Sequence, residues 1–211
     1  RAWKLFKAHK RGYYSLWLFI VLFGLSLFAE ILSNDKPLLV YYESSFYATI
    51  LKYYPETTFG GDFATEADYV DPYVKKLLTE NGNWAIYPPN PFSYDTINYY
   101  NQRPNPAAPS GDNFLGTDDR GRDVLASLIY GLRLSVLLAF VLTIVGIVIG
   151  VIAGAIQGYF GGRIDLYAQR VIELWGSMPE LYLLIIFASL FEPSVLLLIV
   201  LLSLFGWIGL A

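Results

Sequence analysis

Apolar positions along this chain fall into blocks of bilayer length, separated by one long polar stretch, and the pattern turns on Leu115 to Gly158. That stretch opens with a charged, glycine-punctuated run: Leu115-Gly116-Thr117-Asp118-Asp119-Arg120-Gly121-Arg122-Asp123. Val124, Leu125, Leu128, Ile129 and Leu132 then recur at helical spacing on one face. Thr117, Asp118 and Asp119 carry oxygens that can satisfy free N–H groups at a helix start, and negative charge suits that end. The spacing predicts a capped amphipathic helix over 114–133, lying in the membrane interface beside a span. A surface helix packed on a soluble core is the alternative.

Leu134 to Gln157 contains no charged residue and is long enough to cross a bilayer. Within it Gly146, Gly150, Gly154 and Gly158 fall every fourth residue, with Ala153 adjacent. One side of this helix is almost bare backbone, a face that lets a second helix approach closely. The expected role of these four glycines is helix packing.

The other blocks follow from the same pattern. Tyr13 to Leu32 predicts a first span (13–33), retained rather than cleaved, with Glu30 reaching the interface at its outer end. Residues 34–113 contain nothing long enough to span. There Leu38 to Tyr47 has strand composition, and Asp71-Pro72 caps a short helix that Gly82 can close. Trp84 to Ser110, dense in Pro and Asn, is expected to be mostly loop. The many tyrosines of this insert suit either a recognition surface or a small core with a membrane-interface belt. A turn at 158–165 leads to a third span, 166–191. There Glu173 and Glu180 are seven apart, which on an unbroken helix puts them on one face with Ser177 between them. Pro179 favours a kink. Glu192-Pro193 makes a tight turn before a fourth apolar run, 194–211.

Composition makes membrane residence the expectation. Of 211 residues 55% are hydrophobic and 16% charged, with a mean hydropathy of +0.43. The net charge of -3 hides an asymmetry. Residues 1–12 hold five basic residues and no acid, whereas residues 34–133 hold thirteen acids against eight basic residues. By the positive-inside rule the N-terminus is cytoplasmic, the insert extracytoplasmic, and the four spans run out, in, out, in. No basic patch with interleaved aromatics suggests nucleic acid. There is no cysteine, and His9 is the single histidine, so a thiolate or histidine metal site is not expected. The chain starts without Met and stops in a hydrophobic run, which reads as a piece of a longer protein.

Intramembrane carboxylates are pathway candidates by default, so Glu173, Ser177 and Glu180 are the candidate substrate-pathway residues. Neutralisation by a neighbouring helix is the other reading of Glu180. In the charged run, Arg120 and Asp123 are expected as an i,i+3 pair. Arg122 is expected to hold a neighbouring carboxylate through two parallel hydrogen bonds and to set the angle of the interfacial helix.

Leu115 to Leu125, then Leu128-Ile129-Tyr130-Gly131, then Gly158-Tyr159-Phe160-Gly161-Gly162-Arg163-Ile164-Asp165, resemble the C-type permease subunit of oligopeptide/dipeptide ABC importers. Gly116, Thr117, Asp118, Gly121, Arg122 and Asp123 belong to that motif. In the insert, Pro55 to Phe63 and Thr65 to Tyr69 resemble the microcin C (YejE-type) branch. The resemblance implies an all-α polytopic helical bundle of the ABC importer permease type, with four of six spans visible and a small mixed insert. It implies a second permease subunit, an extracytoplasmic peptide-binding protein and a cytoplasmic ABC ATPase in a bacterial inner membrane. ATP and Mg would sit on those partners: this chain has no P-loop, and no cofactor or catalytic residue is expected on it. The family's coupling loop and last two spans lie beyond this sequence. The competing readings are a membrane-anchored enzyme using Asp62, Glu66 or Asp68, and a sensor or adaptor whose insert binds a ligand.

Overall fold

The structure is a computed structural model in which residues 2–100 and 103–210 are described. Arg1 of the basic flank and Ala211 at the end of the fourth run lie outside the described residues. Two units are present, 1–133 and 134–211.

The first unit begins with helices α1 (Ala2–Ala8), α2 (Lys10–Leu27) and α3 (Ala29–Leu32). The expected first span is thus broken at Phe28, whose N–H reaches back to the Leu25 carbonyl rather than continuing the α ladder. Ser26 adds a local competitor, its hydroxyl donating to the Phe23 carbonyl at 2.7 Å.

The insert that follows is a three-stranded antiparallel sheet with short helices and long loops. Strands β1 (Leu39–Tyr42), β2 (Ser45–Tyr47) and β3 (Trp84–Ile86) lie in the order β2-β1-β3. Glu43 and Ser44 both take positive φ at the hairpin, the left-handed geometry of a two-residue turn. Helix α4 (Pro72–Leu77) starts where Asp71 accepts the Tyr73 N–H at 2.8 Å, with proline in the first turn. One face of the sheet packs on Phe59, Val74 and Leu78, all fully buried, with Tyr42, Tyr47, Tyr54 and Tyr69 edge-on around the Phe59 ring. These tyrosines form a core, and each fully buried large apolar side chain contributes about 1.5–3 kcal/mol. Burial, and then the nearby Glu66 carboxylate, pushes the Tyr69 hydroxyl far above the usual phenol range. The segment from Trp84 is loop after β3, as its Pro and Asn content requires.

The unit ends on the head of α5 (Val124–Phe160), a helix of 37 residues. Two expectations are corrected here. The helix placed at 114–133 begins at Val124, because 116–123 is a hydrogen-bonded turn. The remaining amphipathic turns and the apolar run are one continuous helix rather than two.

The second unit holds the rest of α5, then α6 (Gly162–Gly176), α7 (Glu180–Leu190) and α8 (Val195–Ser203), followed by a 3₁₀ turn (Ile208–Leu210). The turn placed at 158–165 is reduced to Gly161, with positive φ at Gly161 and Gly162. The third run is two helices bent by 65° at residues 177–179, where Pro179 was expected to kink it. The Trp175 carbonyl that Pro179 cannot satisfy instead accepts the Met178 N–H at 3.2 Å, closing α6. Among the described residues one helix, α5, is long and apolar enough to cross a membrane by itself, and α6 with α7 passes only as a bent pair. Large apolar side chains stand exposed along α2, α5, α7 and α8. Each of these helices therefore presents an apolar surface of the kind that lipid can solvate.

Candidate functional site

The charged run at 116–123 folds around two glycines that no other residue replaces without strain. Gly116 has φ +78°, and a Cβ there would fall on the Ala107 carbonyl oxygen; Gly121 has φ +83°, and its Cβ would meet the Asn105 amide. Thr117 ties the turn to the same strand of loop. Its hydroxyl donates to Asn105 Oδ1 at 2.8 Å and accepts the Ala107 N–H at 3.0 Å. The Asn98 N–H donates to the Gly121 carbonyl at 2.9 Å.

Asp118 and Arg122 close the turn from within. Asp118 Oδ1 accepts the backbone N–H groups of Arg120 and Arg122, at 2.9 and 2.8 Å. Its Oδ2 accepts Arg122 Nε and Nη2, both at 2.7 Å. Burial acts to raise the Asp118 pKa, but these N–H groups and the guanidinium outweigh it and hold the carboxyl below its usual value. Arg122 therefore holds a carboxylate four residues back in its own turn, by a fork onto one oxygen. The expected parallel pair to another element is replaced by this contact within the turn.

Arg122→Lys keeps the charge of this pair and loses the fork. On a partly exposed pair it is expected to cost under about 1 kcal/mol and to leave the protease resistance of the turn near normal. Asp118→Ala removes all four contacts and should open the turn to protease. Because the folded pKa of Asp118 is lowered, its contribution is complete above the unfolded value of 3.8 and is lost as pH falls through the lower folded value. Proteolysis of the turn at neutral and acidic pH checks this; Asp118→Ala cleaved no faster than wild type at pH 7 would refute it.

Asp123 is the centre of the site. It is fully buried and caps α5, Oδ1 accepting the Ala126 N–H at 2.7 Å. Oδ1 also accepts the Asn90 amide at 2.8 Å, and Oδ2 accepts the Asn113 amide at 2.9 Å. Asn113 in turn accepts from Asn98 at 3.1 Å. The Asn90 amide also donates to Ser33 Oγ at 2.9 Å, just past α3, and the Ser33 hydroxyl donates to the Phe92 carbonyl at 2.7 Å. One carboxylate thus joins the end of the first apolar helix, the insert loops and the head of α5. Its donors are two side-chain amides and a backbone N–H at the positive end of a long helix. The expected Arg120–Asp123 pair is replaced by these amides.

A second tie lies further along α5. The Arg133 guanidinium donates to both oxygens of Glu30 at 2.8 and 2.9 Å and lies 5.1 Å from the Tyr130 ring centre. The Tyr130 hydroxyl donates to the Ser33 carbonyl at 2.9 Å. Asn90, Asn113, Ser33 and Arg133 were not among the sequence candidates. Asn90 and Asn113 sit in loop of unremarkable composition. Glu30 and Arg133 did carry a signal, as opposite charges at the ends of two apolar runs.

In the second unit the four glycines diverge. Gly146 and Gly150 are buried against the segment 206–210: a Cβ on Gly146 would lie 3.2 Å from the Gly206 oxygen, and one on Gly150 would lie 2.6 Å from Leu210 Cβ. Gly154 is half-buried, and Gly158 has open space where a Cβ would go. The pathway candidates are not brought together. Glu173 pairs with Arg170 at 2.6 Å on the exposed side of α6, and the Ser177 hydroxyl turns back to the Leu174 carbonyl. Glu180 opens α7 beyond the bend, so the seven-residue spacing no longer defines a common face. It stands at a cleft of about 220 Å³ walled by Trp175, Met178, Phe187, Leu201 and Phe205. Among the described residues no cluster of three or more metal-ligating side chains occurs.

No protein-family model matches the chain. Among characterised proteins it is similar to the inner membrane ABC transporter permease protein YejE of Escherichia coli K12, 49% identical over 208 residues, 99% of this chain and 61% of that protein. It is 43% identical to the peptidoglycan transport system permease protein YejE of Agrobacterium fabrum, again over 99% of this chain and 61% of the relative. A dipeptide transport system permease protein, DppC of Bacillus subtilis, is 40% identical over 103 residues, 49% of this chain and 32% of its own length. The chain spans about three fifths of the length of its two full-span relatives.

Proposed function

The chain belongs to the C-type permeases of ABC peptide transporters, YejE branch, and from that membership we propose that it serves as one of two permease subunits in an ATP-driven peptide importer of a bacterial inner membrane. The reading is carried by one observation: the likeness extends over 99% of the chain, from the first apolar helix through the insert to the last apolar run. The Asp123 junction supports it, since it ties the insert rigidly to the head of a bilayer-length helix, as a subunit that transmits a docking event needs.

On this reading residue 1 is cytoplasmic, the insert is extracytoplasmic, and the four apolar runs are four of six spans. A second permease completes the bundle. A binding protein delivers peptide from outside, and cytoplasmic ATPases hold ATP and Mg, leaving this chain without a cofactor or a catalytic step. Transport is alternating access, in which ligand and ATP favour different states of the bundle. Gly146 and Gly150 hold α5 to its neighbour, and Glu180 borders the pathway.

Two measurements test this. The natural full-length chain, tagged and purified from membranes without crosslinker, is expected to carry a second permease and an ATPase. Ser110→Cys is expected to react with an impermeant maleimide in intact spheroplasts. Protection of the introduced thiol reverses the topology. Turnover by the insert in a chain that carries no partner establishes the anchored-enzyme reading instead.

A further inference from the structure

The insert contains a cavity of about 470 Å³ that none of the transport roles above uses. Its floor includes Val70 and Phe92, both buried, and these two side chains form one apolar cluster with Ala126 in the first turn of α5. Asn98, also buried, lines it and donates to Asn113, which donates to Asp123. The cavity is therefore linked to the head of α5 by two routes, one of packing and one of hydrogen bonds. Pro72 and Pro91 form stiff walls. Lys75, which lies over the Tyr87 ring at 5.8 Å, Arg103 and Asp112 place charges of both signs on the same lining.

We propose that this cavity binds a short free peptide, Lys75 holding its carboxylate and Asp112 its ammonium group, against the floor that carries α5. The volume suits a ligand of a few residues, within the range of about 300–1,000 Å³ for small-molecule sites. Proline and aromatic walls accept an extended chain without having to be ordered first. Charges of both signs in one concave, partly apolar site select a zwitterion over a single ion, because each terminus finds a counter-charge. A peptide seated there presses on Phe92 and Asn98, and so reports its presence to Ala126 and Asp123. The class of ligand rests on the peptide-importer reading; the site itself does not.

The test uses the full-length permease with its partner subunits in nanodiscs, without binding protein, titrated by calorimetry with the tripeptide Ala-Pro-Ala. Its C-terminal amide and its N-acetyl form are titrated in parallel. The free tripeptide is expected to bind, and each blocked form to bind roughly tenfold more weakly. Lys75→Gln should remove the discrimination against the amide and leave that against the acetyl form; Asp112→Asn should do the reverse. Binding that neither substitution alters places the peptide elsewhere and overturns the site. So does heat that appears only when binding protein is added. Peptide uptake in cells separates the two readings. Uptake without cavity binding overturns the site alone, and cavity binding without uptake overturns the importer reading and leaves the site standing.

Discussion

Asp123→Ala is expected to release the insert from the head of α5 and, on the proposed importer reading, to abolish peptide uptake by the full-length protein. The carboxylate caps the helix through the Ala126 N–H, and it is the acceptor for the Asn90 and Asn113 amides in a position fully closed to water. Removing it deletes the cap and leaves two buried donors facing a methyl group. The expected loss is on the order of 3–6 kcal/mol, comparable to the stability of a small unit. Ser33 Oγ already accepts from Asn90 and donates to the Phe92 carbonyl. Asp123→Asn is expected to be milder, because one oxygen remains to cap α5 and accept from Asn90. Its new amide would face the Asn113 amide, donor against donor, so partial loss remains. Trypsin digestion of membranes, reading cleavage after Lys52, Lys75 and Lys76, measures release; uptake by the full-length protein tests the importer reading. Wild-type protease resistance together with wild-type uptake in Asp123→Ala would remove the junction from the account.

Gly150→Leu is expected to separate α5 from the segment that follows α8. The first atom of the new side chain would already lie 2.6 Å from Leu210 Cβ and 3.1 Å from the Trp207 carbonyl, and the rest of the leucine must find room beyond it. Overpacking of this kind costs about 1–3 kcal/mol where the surroundings can shift. In lipid no gain in apolar burial offsets the lost backbone approach. The chain carries its own reporter: Trp175 and Trp207 both donate their indole N–H to the Leu204 carbonyl, at 3.0 and 2.9 Å. Tryptophan emission followed through heating is expected to show a transition several degrees lower in Gly150→Leu. Gly158→Leu, which meets nothing within 4 Å, should leave the transition in place. Equal transitions in both variants would mean that the buried glycines carry no packing role.

Much of the local structure was legible in the sequence. Period-3.6 apolar positions at the head of α5 and the absence of charge from Leu134 to Gln157 specify helix there, though not that the two stretches join, because a helix in lipid must satisfy its backbone internally. Asp71-Pro72 specifies the start of α4, because a short acceptor followed by a residue without an N–H suits one place in a helix. The strand composition around Leu38 to Tyr47 gives extended structure but not the turn at Glu43-Ser44 that divides it, and the low charge gives the membrane. In each case the cause lies within one or two turns of chain.

Tertiary contacts decided the rest. The run at 117–119 has the composition of a helix cap, yet the cap is Asp123. Gly116 and Gly121 bend the chain against 105–107, and Asp118 is consumed by the backbone of its own turn. Glu173 and Glu180 share a face only if the helix between them is unbroken, and Pro179 breaks it. The four glycines are equivalent in spacing, but two are buried, because a face becomes an interface only where another segment arrives. Asn90 and Asn113 gave no signal, lying 33 and 10 residues from the carboxylate they serve. A buried charge collects its donors from wherever the fold brings them, and that choice is made in space, not along the chain.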